Sequence, residues 1–222
     1  RTARRRRLED DAYLVQQSQD IGKVYCFGDT KDYLVFDIGK MRWTSNCFRD
    51  HSAYDGTLRY FSVCFVPNRK VYMTGGCYTT NAQPSSSCFA IDLWYITDKP
   101  IMKKNMIMKR YGHQCQYLNG LMYIIGGFNH RDLPNEQPVT LASCERYQVI
   151  DNSWAHISTM QEPRAFASSV VLDSQYIYVF GGMHDLQILS TIEKYDTITD
   201  TWITVFFTLP KPLAKMVGSL ID

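Results

Sequence analysis

Three pairs of adjacent glycines close short apolar runs, in VYMTGG (Gly75, Gly76), MYIIGG (Gly126, Gly127) and YVFGG (Gly181, Gly182). A glycine-rich turn after a strand can bring backbone N–H groups up to a phosphate, which makes these pairs the first candidates for chemistry. A phosphate cradle also needs a Lys-Ser/Thr sequel or G-x-G-x-x-G spacing. The chain has neither, and it lacks a G-x-S-x-G nucleophile elbow. His51, His113, His130, His156 and His184 show no H-E-x-x-H spacing. His130 and His184 each follow a diglycine closely and read as equivalent positions on one face, which is weak evidence for a shared metal. Cys26, Cys47, Cys64, Cys77, Cys88, Cys115 and Cys144 have no C-x-x-C spacing, and several lie in apolar runs. They read as reduced thiols of an intracellular, cytoplasmic protein. Cys77 and Cys88 bracket one loop and could close it as a disulfide. No catalytic residue, cofactor or metal is expected.

A repeat explains the glycine pairs better than three separate cradles do. The pairs lie 51 and 55 residues apart, and a weaker copy, VYCFGD, ends at Gly28-Asp29. Other positions keep step with them. Arg59, Arg110 and Arg164 precede their pairs by 16, 16 and 17 residues, and Phe36 and Trp43, Tyr147 and Trp154, and Tyr195 and Trp202 are each seven apart. The second unit reads Phe89 and Ile96 at those aromatic places. Each period holds four short strand-like runs, in the last full unit at 167–172, 176–180, 191–195 and 201–204, with turn residues between them. A four-stranded antiparallel blade cannot bury both its faces alone, so blades must stack around an axis. The Tyr and Trp positions then read as core between blades. The glycines supply positive φ and close backbone approach.

These residues resemble the kelch motif, in which a basic residue opens a unit, a strand ends in Gly-Gly, and Tyr and then Trp follow. The resemblance runs from about Ala12 onward and implies an all-β, kelch-type β-propeller of four-stranded blades. His113 matches a histidine that is structural in that motif. The units read as a degenerate blade at 12–57 and full blades at 58–108, 109–162 and 163–212, with a linker at 1–11. The segment KMVGSLID resembles RAFASSVVLD, so 213–222 reads as the first strand of a further blade or a ring-closing strand. About four blades of a larger propeller are therefore expected.

Charge and loop length suggest what such a scaffold does. Twenty-four basic and 22 acidic side chains leave a net charge of +2, so no global field draws the chain to nucleic acid or to a membrane. The Arg4, Arg5, Arg6 and Arg7 run reads as a solvated linker. In a four-stranded blade the b–c and d–a loops emerge on one side, and the long loops are there: 77–88 and 128–144 between b and c, 44–56 and 97–109 between d and a. Their Arg49, His51, Tyr54, Lys103, Lys104, Phe128, His130, Arg131 and His184 are the candidate partner-binding residues. The expected partner is a protein, with an acidic surface or as part of a large assembly, bound by a non-enzymatic adaptor or scaffold. The resemblance implies two contexts, substrate recognition for a ubiquitin ligase and cytoskeletal scaffolding. The alternative is a propeller enzyme or metal-binding protein acting on a small molecule or sugar.

Overall fold

The computed structural model describes residues 23–27, 32–47, 58–67, 70–78, 80–92, 100–130 and 137–215. The Arg4–Arg7 run, the strand expected at 12–16, Gly28, Ile96 and residues 216–222 lie outside them.

Apolar runs of five residues bounded by turn chemistry become the blade strands. The first sheet holds β1 (Lys23–Phe27), β2 (Asp32–Asp37) and β3 (Arg42–Cys47). The second holds β4 (Ser62–Val66), β5 (Lys70–Thr74), β6 (Cys88–Asp92) and β7 (Ile101–Met102). The third holds β8 (Gln114–Leu118), β9 (Leu121–Ile125), β10 (Cys144–Gln148) and β11 (Ser153–Ile157). The fourth holds β12 (Ser168–Leu172), β13 (Tyr176–Phe180), β14 (Ile192–Asp196) and β15 (Thr201–Thr204). Each sheet is an antiparallel meander in sequence order. β8 lies against β4 on one side and β12 on the other, so the first strands of successive blades stand side by side at the axis. This is an arc of a β-propeller.

Burial on two faces explains why β9 reads as a continuous apolar run. Met122 and Ile124 pack with Cys64, Tyr72 and Cys88 of the second blade. Tyr123 and Ile125, one residue out of phase, pack with Ile177, Val179 and Tyr195 of the fourth. Tyr147 and Trp154 stack with centroids 4.7 Å apart, and Tyr195 and Trp202 at 4.9 Å. Both indoles also tie blades together: Trp154 Nε1 donates to Lys104 O (2.7 Å) and Trp202 Nε1 to Ser158 O (2.9 Å). Trp43 stacks on Phe36 at 4.9 Å yet stays 53% exposed. Among the described residues no blade precedes its own, so Trp43 departs from the expected burial between blades.

A second polar pair accompanies each Tyr. The Tyr147 and Tyr195 hydroxyls donate to Asn152 Oδ1 and Asp200 Oδ1, both at 2.7 Å. Asn152 and Asp200 occupy the positive-φ place of the turn before the fourth strand, at φ 50° and 53°. In the first blade the same place holds Met41 (φ 46°), and the matching ring is Phe36, which has no hydroxyl. Neither the donor nor the acceptor is present there.

The second blade corrects two readings. Thr74 pairs with Cys88 and Met73 with Phe89, whereas Ile125 pairs with Cys144 and Met122 with Tyr147. Phe89 therefore matches Glu145, and the place of Tyr147 falls to Ile91; the Phe89–Ile96 reading was two residues out of register. The Arg59 reading was one residue out. Arg59 pairs with Cys77 as Tyr111 bridges Phe128 and Ala165 bridges Met183, so Leu58 takes the place of Arg110 and Arg164. The cause is hairpin length: three residues separate β4 from β5 and β12 from β13, but only two separate β8 from β9. That shorter link is Asn119-Gly120, both with positive φ, as a two-residue hairpin requires. Cys77 and Cys88 are free thiols, which removes the disulfide option.

Candidate functional site

The arginines that open the third and fourth units are wholly structural. Arg110 is completely buried; its Nη1 donates to Gly126 O (2.7 Å) and Ser143 O (2.8 Å), and its Nη2 to Glu145 Oε1 (2.7 Å). Glu145 also accepts the backbone N–H groups of Ile107 (2.7 Å) and Met108 (3.0 Å). Arg164 repeats the set with Gly181 O, Thr191 O and Glu193, and Glu193 accepts the N–H groups of Gln161 and Glu162. The Arg110 carbonyl meanwhile accepts Gly76 N–H at 2.9 Å, and the Arg164 carbonyl accepts Gly127 N–H at 2.9 Å. Each arginine thus clasps the diglycine of the blade before it and the blade it opens. In the second blade Leu58 and Phe89 replace the ion pair within one apolar cluster.

The glycines serve these clasps. Gly126 has φ +62°, and a Cβ there would sit 2.3 Å from Arg164 O. Backbone approaches that close leave no room for a bound phosphate, and the amides of Gly76 and Gly127 are already used.

His113 lies beneath the same turn, fully buried, with Nε2 at 2.9 Å from Thr74 Oγ1. Burial, and next the Arg110 charge, push its pKa down to about 3 from 6.5. It is neutral at physiological pH and is no acid–base catalyst there. Its folded pKa lies below the unfolded value, so the stability tied to its neutral form is complete above about pH 6.5 and drains away as pH falls toward 3. Wild-type stability is expected to fall by up to about 1.4 kcal/mol per pH unit in that window from this group alone. Phe61 occupies the matching place in the second blade, where each residue lies beneath its own blade's second glycine. Urea midpoints of His113→Phe measured from pH 7 to 4 should show a shallower slope than wild type.

The diglycine end carries an open aromatic mouth that the sequence reading did not single out. Tyr60, Gly112, Phe166 and Lys215 occupy one repeated place, all at positive φ (58°, 63°, 50° and 55°). They form a ladder around the axis: Gly112 N–H donates to Tyr60 O (2.8 Å), Phe166 N–H to Gly112 O (2.7 Å) and Lys215 N–H to Phe166 O (2.8 Å). The rings converge, with Tyr60 5.3 Å from Phe166 and 6.2 Å from Tyr111, and Phe128 5.6 Å from Tyr111. Lys215 Nζ stands 5.6 Å from the Phe166 centroid. Tyr60, Phe61, Gln114, Phe166 and Lys215 line a cavity of about 240 Å³. Tyr60 is 53% exposed, whereas Phe128, packed against Tyr111 and Phe166, is buried. A signal existed in the sequence: two residues past Arg164 stands the bulky Phe166, in a place where a non-glycine residue is strained.

The other candidates scatter. His130 joins the mouth, with Nε2 at 3.4 Å from the Tyr111 hydroxyl. His184 does not match it: Met183 and Phe128 are the equivalent bridge residues, so His184 corresponds to Asn129. Its Nε2 is 3.8 Å from Asp185. Lys103 N–H donates to Cys88 O (2.9 Å), beside the diglycine end of the second blade, and Lys104 N–H to Asn152 Oδ1 (2.9 Å), in the turn before the fourth strand of the third. Arg49, His51, Tyr54 and Arg131 lie outside the described residues. Among the described residues no group of three His, Cys, Asp or Glu side chains could hold a metal ion.

A family model described as the KLHDC2/KLHL20/DRC7 Kelch-repeats domain matches residues 18–221. The chain belongs to the kelch-repeat family. Kelch-like protein 25 of Xenopus tropicalis is 27% identical over 172 residues, covering 72% of this chain and 28% of that protein. F-box/kelch-repeat protein OR23 of Arabidopsis thaliana is 33% identical over 116 residues, covering 47% of this chain and 26% of that protein. The kelch chain thus spans little more than a quarter of either relative. Among solved structures, that titled "Structure of YjhT" superposes with a TM-score of 0.59 at 14% identity, covering 71% of this chain and 54% of that one. That likeness concerns the fold.

Proposed function

We propose that this kelch segment is a non-enzymatic protein-interaction module, an adaptor or scaffold that takes its partner at the diglycine end. The observation that carries the reading is the mouth formed by Tyr60, Phe166 and Lys215: exposed aromatic surface on a backbone ladder, beside a buried Phe128. Aromatic rings held on a rigid frame lose little entropy on binding and are frequent binding hot spots. Lys215 favours an acidic or carboxylate-bearing group on the partner. The histidines support a non-catalytic role, since His113 is neutral and buried and His130 is engaged by Tyr111. The F-box in one relative's name supports the substrate-recognition context.

The test is partner capture by the tagged chain from cell extract, comparing wild type with Tyr60→Ala/Lys215→Glu. Truncating an aromatic hot spot costs about 2 kcal/mol or more, so capture of the specific partner should drop at least tenfold while the melting temperature holds. Undiminished capture by the folded variant would remove the mouth as the contact surface.

A further inference from the structure

The segment from Ile101 to Lys109 departs from the repeat in a way the scaffold does not require. It runs along the seam between the second and third blades, from Lys104, whose N–H meets Asn152 Oδ1, to Arg110, whose O meets Gly76 N–H. Its backbone is held throughout. Lys103 N–H donates to Cys88 O (2.9 Å) and Met106 N–H to Ser86 O (2.8 Å), while Lys104 O accepts Trp154 Nε1 and Glu145 takes the Ile107 and Met108 N–H groups. The third blade repeats these hooks with Ser158, Met160, Gln161 and Glu162. There the strip carries no lysine. The second blade instead shows Ile101 (55% exposed), Met102 (49%) and Ile107 (49%), interleaved with Lys103, Lys104 and Lys109. None of the ion pairs among the described residues engages these three lysines. Because Lys103 N–H points to Cys88, the alternation of an antiparallel pair turns the Met102 N–H and C=O outward.

We infer that this strip is a second docking site, separate from the mouth, for an extended acidic segment of a partner protein whose apolar residues alternate with carboxylates. Three ammonium groups that no ion pair among the described residues engages call for several carboxylates, and the exposed Ile101, Met102 and Ile107 side chains beside them call for apolar ones. The pinned backbone means that the site loses little entropy on binding. An outward edge at Met102 offers strand-type pairing to an extended chain.

Fluorescence anisotropy with a short labelled peptide of alternating Glu and Val tests this, against a Lys-Val copy, a single-stranded oligonucleotide and phosphatidylserine vesicles. The acidic peptide should bind wild type, weaken with added salt, and bind at least about tenfold more weakly to Lys103→Glu/Lys104→Glu/Lys109→Glu. The neutral variant Lys103→Gln/Lys104→Gln/Lys109→Gln and Ile101→Ser/Ile107→Ser should each weaken it by a smaller factor. Tyr60→Ala/Lys215→Glu should leave it unchanged, which separates this site from the mouth. No binding to wild type, equal binding to the charge-reversed variant, equal binding of the Lys-Val copy, or tighter binding of the oligonucleotide or vesicles would each overturn the inference.

Discussion

Glu145→Ala is expected to cost about 3–5 kcal/mol of stability, because it leaves the Arg110 guanidinium charged, fully buried and without its carboxylate. It also removes the carboxylate that accepts the Ile107 and Met108 amides. The second blade shows the alternative solution, since Leu58 and Phe89 fill the same two places with apolar side chains. Arg110→Leu/Glu145→Phe should therefore be more stable than Glu145→Ala alone, although it forgoes the Arg110 bonds to Gly126 O and Ser143 O. Urea midpoints of the three proteins should order as wild type, then the double variant, then the single one. A single variant matching wild type would mean that the ion pair does not hold the blades together.

Gly126→Ala should be about as damaging. The position has φ +62°, which costs a side-chain-bearing residue about 1–2 kcal/mol. The new Cβ would also stand 2.3 Å from Arg164 O, a backbone atom that already accepts Gly127 N–H. Relieving that clash pushes the third and fourth blades apart and adds about 1–3 kcal/mol. Gly120 is the internal control. It has φ +86°, but a Cβ there meets nothing within 4 Å, so Gly120→Ala should show only the backbone cost. Gly182→Val should also destabilise, since the added Cβ would stand 2.7 Å from Ala165 O of its own blade at φ +92°. A Gly126→Ala protein as stable as Gly120→Ala would refute the steric role of the diglycines.

The features legible in the sequence are those fixed by local sterics. A diglycine stands wherever backbone from the following unit comes within van der Waals range, and that need recurs whatever the surface does. The seven-residue spacing of Tyr147 to Trp154 was legible because the two rings face each other across one strand pair. Equal 16-residue spacings turned Leu58 into Arg59 because the third blade's hairpin is one residue shorter than those of the second and fourth, so a count back from the glycines does not mark the same place. Glu145 and Glu193 escaped notice because a buried carboxylate is recognisable only once its arginine, 35 or 29 residues away, is known to reach it. The mouth was harder still. Tyr60, Phe166 and Lys215 come from three units, and only the closing of blades around the axis brings them together.

The central claim is that a partner sits on the diglycine end, and site-specific photo-crosslinking tests it most directly. A photoreactive residue is placed at Tyr60, in the mouth, or at Ile198, which is 76% exposed on a turn at the opposite end. In cells, the account predicts a defined cross-linked protein band from the Tyr60 probe and none from the Ile198 probe. A band from Ile198 with none from Tyr60 would contradict it.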